Sequence, residues 1–342
     1  MLVGCGGERD AVTAGGRVAG DNLTVYSSVP RPDRGVGRDM TDATKLAIAE
    51  SGGRAGEYGI NFVSVDEGSL GAQDPRRIPA KAAEQAIRDA QVIAVIGAVR
   101  SDAALTMLPL FNAAGVLLAS PGAGYAGFTE PVAPGEPERW YPSGRDTFAR
   151  VIPDDLEQAQ ALLRAAGDGP VAVEAEAGKV PEALAAALEE AGAQLVDDVA
   201  RADAVIYAGN DVRSAVGVAE SLAREAPRAR LVFPDELTRA GLAERLPAAA
   251  RRRAVFVSSA PEPGSTPELE AFEAAFEESF ERAPDPYAVL AYRATQGVLQ
   301  AIAEGGRRSN LRRVVAERYL ALAPAPEGFT TFRVRGGARE YR

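Results

Sequence analysis

The residue types that carry most protein chemistry are nearly missing from this chain. Histidine is absent from its 342 residues, which removes the usual general base, the usual proton shuttle and the commonest metal ligand. Cys5 is the only cysteine, so no disulfide, no cysteine-rich zinc site and no Cys-His nucleophile can form within the chain. Hydroxyls and carboxylates are left. Ser101 has no histidine to take its proton, and only three lysines, Lys45, Lys81 and Lys179, could stand in. Asp235 and Glu236 are neighbours whose side chains tend to point apart, which makes them a poor acid-base pair. Gly122-Ala123-Gly124-Tyr125-Ala126-Gly127 has the G-x-G-x-x-G spacing that cradles a pyrophosphate. Phe128-Thr129-Glu130-Pro131 and further prolines follow, however, where a helix would have to begin. The expectation is a chain that binds rather than catalyses, with no cofactor and no metal.

The positions of the polar residues are more informative than their reactivity. Leu23 to Ser27, Ile60 to Val65, Val92 to Ile96 and Val116 to Ser120 read as strands, separated by helical patterns at Asp39 to Ser51, Pro79 to Asp89 and Asp102 to Ala114, the last with Asp102 as its cap. The stretch from Pro121 to Gly144, rich in proline and glycine, reads as a long surface loop. A second series follows, with strands at Val171 to Ala175, Ala204 to Tyr207, Leu231 to Phe233 and Val255 to Ser258. Helices are expected at Leu156 to Ala166, Val180 to Ala191, Val212 to Ala226 and Thr238 to Arg245. Helices at Glu268 to Glu281 and Tyr287 to Ala303 and a strand at Phe329 to Val334 close the chain. Alternation of this kind implies an α/β protein with parallel, doubly wound sheets in two lobes. Open sheets of this type bind ligands beyond the carboxyl ends of their strands. Small or polar residues stand at those places: Ser27-Ser28, Arg100-Ser101, Gly122-Ala123-Gly124, Asn210-Asp211 and Asp235-Glu236. Each of these residues could equally cap a helix or form a turn.

Composition sets the outer bounds. Hydrophobic residues make up 46% and charged residues 25%, enough for packed cores, and the length suits two lobes. A formal net charge of -10 disfavours nucleic acid and anionic lipid as partners. No stretch of 18 consecutive apolar residues offers a membrane span. Leu2-Val3-Gly4-Cys5 resembles the lipobox of bacterial lipoproteins, and the small, polar residues 6 to 22 suit a flexible tether. Lipidation of Cys5 in the native precursor is therefore expected, which would anchor an extracytoplasmic protein to the outer face of the cell membrane.

Read together, four stretches resemble the type I periplasmic solute-binding proteins of ABC importers, specifically the branched-chain amino-acid (Leu/Ile/Val) binding family. They are Val92-Ile93-Ala94-Val95-Ile96-Gly97 leading to Ser101; Gly115-Val116-Leu117-Leu118-Ala119-Ser120-Pro121-Gly122-Ala123; Phe148-Ala149-Arg150-Val151-Ile152-Pro153-Asp154-Asp155; and Pro284-Asp285-Pro286-Tyr287-Ala288-Val289-Leu290-Ala291-Tyr292. The resemblance implies two lobes joined by a three-stranded hinge: 1–22 as tether, 23–150 plus 260–322 as first lobe, and 151–259 plus 323–342 as second lobe. It also implies lobes that close on a small solute, ABC permease subunits as partners, and a monomer.

The same resemblance assigns roles residue by residue. Ser101 matches the serine that holds the ligand carboxylate, and Ala123 matches a backbone contact. Gly124 stands where a threonine hydroxyl is common, so the amides of Gly124 and Tyr125 would substitute. Asp235 matches the acid that receives the ligand ammonium, with Glu236 its competitor. Asn210 or Asp211 falls where an aromatic is frequent, and Ser28 lies at the same edge. The second lobe departs from the pattern: Glu174-Ala175-Glu176-Ala177-Gly178 replaces a Tyr-Gly segment, and the short Val199 to Ala204 stretch leaves that lobe one helix short. The expected function is solute binding for an importer, with an amino acid or similar polar metabolite as ligand. The alternative is a sensing domain of the same fold that signals to a partner.

Overall fold

The structure is a computed structural model and describes residues 20–68, 76–192, 194–322 and 326–342. Cys5 and the tether expected behind it up to residue 19 lie outside the described residues. The first series runs β1 (Asn22–Val29), α1 (Gly35–Glu50), β2 (Arg54–Ala55), β3 (Tyr58–Asp66), α2 (Arg77–Arg88), β4 (Val92–Ile96), α3 (Ser101–Ala113), β5 (Leu117–Ser120) and β6 (Phe148–Arg150). Its sheet has the order β2-β3-β1-β4-β5-β6 and is parallel except for the β2–β3 hairpin. Every residue of β4 and β5 is buried, as strands covered by helices on both faces must be.

The second series runs α4 (Asp155–Ala166), β7 (Val171–Ala175), α5 (Lys179–Glu190), β8 (Ala204–Ala208), α6 (Val212–Glu225), β9 (Arg230–Phe233), the short helices α7 (Asp235–Arg239), α8 (Leu242–Arg245) and α9 (Ala248–Arg251), and β10 (Ala254–Ser258). After α10 (Pro267–Phe280), α11 (Ala288–Gly305) and α12 (Leu311–Leu322) come β11 (Thr330–Arg335) and β12 (Ala338–Tyr341). The second sheet has the order β7-β8-β9-β10-β11-β12, parallel as far as β10 and antiparallel beyond it. The two lobes are thus both α/β, and the second carries an antiparallel edge that alternation alone did not announce. The chain's late helices pack with the first sheet: Phe276, Tyr287, Ala294, Ile302 and Val315 share one buried cluster with Leu23, Val25, Ile93 and Ile96.

Three local expectations need correction. The helix expected over Thr238 to Arg245 is two pieces, because Gly241 adopts φ +76, a left-handed conformation that stops α7 and lets α8 start at a new angle. Asp102 does not cap α3; Arg100 occupies the cap position, and Asp102 lies in the first turn and reaches elsewhere. The stretch from Pro121 to Gly144 is not a surface loop throughout. Pro121 to Phe128 are all buried, and Tyr125, Phe128, Trp140 and Phe148 form edge-on and tilted ring contacts. Side chains satisfy the backbone carbonyls this burial would orphan: Trp140 Nε1 donates to Gly127 O at 2.9 Å and Tyr141 Oη to Phe128 O at 2.7 Å.

Candidate ligand-binding site

The carboxyl ends of the parallel strands of both sheets meet across one cleft, and the lobes are closed over it. Asn210, just beyond β8, donates from Nδ2 to Asp102 Oδ2 of α3 at 2.9 Å. Arg239 of α7 donates from Nη2 to the carbonyl of Gly122 at 3.0 Å. Lys179, at the start of α5, lies 2.8 Å from Glu136 Oε1, and the adjacent Val180 packs into the first lobe's aromatic cluster. Gly122 has to be glycine for this closure, since a Cβ there would lie 2.5 Å from Val99 O and 2.6 Å from Arg239 Nη1.

The first-lobe wall is built from groups that answer one another. Glu67, fully buried beyond β3, accepts from the amides of Val99 and Arg100 at 3.0 Å each. Burial pushes its carboxyl up to about 7, against the pull of Arg100 and the two amides. Ser120 Oγ accepts from the amides of Gly122 (3.2 Å) and Ala123 (2.8 Å) and donates to Ala98 O at 2.6 Å. Ser101 Oγ accepts from the amide of Tyr125 at 3.2 Å. The amides of Ala123 and Tyr125 are therefore committed inside the wall, and Ser101 keeps only its O–H to offer a ligand. Tyr125 turns its hydroxyl away, onto Glu136 Oε2 at 2.7 Å. A Cβ on Gly124 would stand 3.0 Å from Asp155 Oδ1, so a carboxylate sits beside the place where a threonine was expected to serve an anion. Arg100 is 7% exposed, and its Nε and Nη1 have no hydrogen-bond partner; Nε lies 3.8 Å from Glu67 Oε1.

Asp235 and Glu236 divide differently on the second-lobe wall. Asp235 Oδ1 accepts from the amide of Ser259 and from Tyr287 Oη, both at 2.6 Å, and Oδ2 accepts from Ser259 Oγ at 3.0 Å and Arg239 Nη1 at 3.1 Å. These partners come from α7, from the segment after β10 and from the start of α11, so the carboxylate knots the two lobes together where the chain crosses between them. Glu236 Oε1, in contrast, is closed off from solvent with no partner. Burial, with Asp102 adding to it, raises the Glu236 carboxyl to about 8, although Arg239 and Arg100 pull the other way. Asp155 is the second open carboxylate: Gln158 Nε2 donates to Oδ1 at 2.9 Å, and Oδ2 is buried without a partner. Burial lifts it to about 7 against the pull of Arg150. Asp155, Gln158, Asn210, Pro234 and Glu236 line one small cavity with the apolar Val180 and Leu184, of about 20 Å³ in the closed form.

The likeness to solved structures fits this geometry. A substrate-binding protein of an ABC transporter from Desulfitobacterium hafniense, in complex with Leu, superposes with a TM-score of 0.75 at 15% identity, covering 94% of this chain and 100% of that one. The leucine-binding protein LivK of Thermotoga maritima gives 0.73 at 18% identity, covering 94% and 97%. A solute-binding protein of an ABC transporter from R. palustris, in complex with benzoate, gives 0.67 at 19% identity, covering 94% and 95%. The chain has the fold of the type I periplasmic solute-binding proteins. No protein-family model and no curated protein matches it in sequence.

Within this binding-protein fold, the residues singled out in the sequence separate into three groups. Ser101 keeps its O–H and Glu236 its Oε1 without a partner, while Gly124 spends its carbonyl on the amide of Asp155 and on Arg150. Ala123, Tyr125 and Asp235 adjoin it with their polar groups spent on the protein, and Asn210 spans it to Asp102. Asp211 caps α6 by accepting from the amide of Ser214 at 2.8 Å, and Ser28 lies inside β1, fully buried, with its hydroxyl 3.8 Å from the sulfur of Met107. Glu67, Asp102, Asp155 and Arg239 were given no ligand role by the sequence, and Arg100 was placed at the ligand edge without one. Asp155 had a signal: it follows Pro153-Asp154 where a chain of this fold passes between lobes, and Asp154 already serves as the cap of α4 through the amides of Leu156 and Glu157. A second acid beside a filled cap is free for another task.

Proposed function

We propose that this protein is the extracytoplasmic solute-binding subunit of an ABC importer and that the cleft between its lobes takes a small amphoteric solute of the amino-acid kind. The observation that carries the reading is a set of buried polar groups of opposite kind left without hydrogen bonds: Arg100 Nε and Nη1, with only Glu67 3.8 Å from Nε, in the first lobe, and Glu236 Oε1 in the second. Buried polar groups without hydrogen bonds are costly, and a solute that brings a carboxylate to Arg100 and an ammonium to Glu236 removes the cost at both ends. Such a solute touches both lobes and so favours the closed form, which is the form a permease would read. The chain binds its solute without turning it over, acts as a monomer, and is held at the outer face of the membrane through a lipid on Cys5.

The test is a thermal-shift screen of amino acids, their amides and small carboxylates, followed by calorimetry. A solute at a thousandfold excess over its dissociation constant should stabilise the fold by about 4 kcal/mol. If none of these raises the melting temperature, the reading fails. The anchor has its own test: mass spectrometry of protein from the membrane fraction of a native-like host should find Cys5 acylated, and an unmodified amino terminus would overturn that part.

A further inference from the structure

The cleft holds more open carboxyl groups than one ammonium group can answer. Asp155, 6% exposed, is held by Gln158 through Oδ1 so that Oδ2 is left buried and unpaired; Glu236 Oε1 is unpaired in the same cavity. Asp102 and Glu176 add negative charge beside Asn210, and Asp235 faces Asp155 from α7. On the positive side, Arg239 is engaged by Asp235 and Gly122, Lys179 by Glu136, and Arg150 by the carbonyls of Gly124 and Tyr125 and by Asp154. Arg100 has Glu67 3.8 Å from Nε and keeps Nε and Nη1 without a hydrogen bond. The anion-binding wall is correspondingly weak, with two backbone amides spent internally and Asp155 pressed against Gly124.

We propose that the pocket between Asp155 and Glu236 takes a second cationic group, so that the solute is a diamino or guanidino acid carrying one anionic and two cationic groups. The proposal rests on the reading of the cleft as a solute site and names the solute's class. Gln158 and Asn210 supply polar edges beside the two carboxylates, while Val180 and Leu184 give an apolar wall along which a short methylene stem can lie. A metal ion suits the pocket less well, since among the described residues no three of the acidic or cysteine side chains converge to hold one.

The experiment is calorimetry on the intact chain with lysine, ornithine and arginine against leucine, serine and glutamate, each in two buffers of different ionisation enthalpy near pH 7. The expected result is at least tenfold tighter binding of the dicationic acids than of leucine or serine, no binding of glutamate, and net proton release with the dicationic acids. Proton release follows because carboxyls lifted by burial to about 7 and 8 hold protons in the empty cleft and must lose them to meet a cation. Asp155→Asn, isosteric and checked for folding by its melting curve, should cut the preference for lysine over leucine at least tenfold. Because selectivity and proton release are read on the unaltered chain, the test does not depend on that variant folding. Leucine bound as tightly as lysine, without proton release, overturns the inference and leaves the solute-binding reading standing. If no amino acid binds, both fall.

Discussion

The two walls of the cleft spend their polar groups in opposite ways. On the first lobe, Ser120, Ser101 and Glu67 consume the amides of Gly122, Ala123, Tyr125, Val99 and Arg100, so the wall is set before any solute arrives. On the second lobe, Asp235 is saturated while its chain neighbour Glu236, with Asp155 nearby, keeps an open buried oxygen. One wall holds shape and the other holds charge. Position at a strand end puts a residue at the cleft; whether its partners are already spent decides if it can contact a solute.

The sharpest way to break this comparison is at Asp235 itself, where the largest effect is expected. Asp235→Ala deletes the acceptor for Ser259, Tyr287 and Arg239 and leaves Arg239 buried without its carboxylate. Removing one member of a buried ion pair typically costs about 3–5 kcal/mol, so denaturant unfolding should show a loss of that size. Glu236→Ala should show no comparable loss, because nothing in the protein hydrogen-bonds Oε1. If the two variants unfold alike, Asp235 is not the structural member of the pair, and the ammonium role returns to it.

Next in size is the contact that shuts the lobes. Lys179 is the partner of a buried carboxylate, Glu136, which also takes the Tyr125 hydroxyl. Lys179→Ala leaves that carboxylate short of its cation, and about 1–3 kcal/mol should move from the closed form. Small-angle scattering of the solute-free protein should report a larger radius of gyration, and an unchanged radius would show that closure does not depend on this pair.

A smaller effect separates the walls by pH. Carboxyls raised by burial bind protons in the folded state that they do not bind unfolded, so the stability they contribute is present below about 4.5 and is lost as pH rises through about 7 and 8. Without histidine, few other groups titrate in that window. The melting temperature of the solute-free protein should therefore fall between pH 5 and 9, and Glu236→Gln should flatten the slope. A slope unchanged by Glu236→Gln would assign it to Glu67 and Asp155.

The fold was largely legible because its determinants are local. Continuous apolar runs such as Val92–Ile96 and Ala204–Ala208, short and rich in β-branched residues, read as buried strands, and helical patterns of a dozen residues between them fit parallel crossovers. The site was legible in place and not in detail. Asp235 and Glu236 look alike in sequence, and only the arrival of Ser259 and Tyr287, 24 and 52 residues away, distinguishes them. Arg100 reads as a residue before a helix until its unpaired nitrogens are seen to be buried. The stretch from Pro121 to Phe128 misled for a related reason: proline and glycine forbid regular structure, but they do not forbid burial when Trp140 and Tyr141 supply the missing hydrogen bonds.

The smallest effect is expected at Ser28, which its place after the first predicted strand set at the ligand edge. Its hydroxyl is fully buried within β1, and the partner it has is the thioether of Met107 at 3.8 Å, a weak acceptor. Removing a hydroxyl costs what its hydrogen bonds are worth, less the desolvation it no longer suffers, and here both are small. The strand pairing of Ser28 with Val65 is made by backbone and does not depend on the side chain. Ser28→Ala should therefore stay within about 0.5 kcal/mol of the parent in stability, as substitutions that break no network do. Solute affinity should stay within twofold, since the hydroxyl is fully buried against Met107. A tenfold loss of affinity in calorimetry would place Ser28 among the contacts after all, and would mean that β1 turns its edge toward the solute when the cleft is filled.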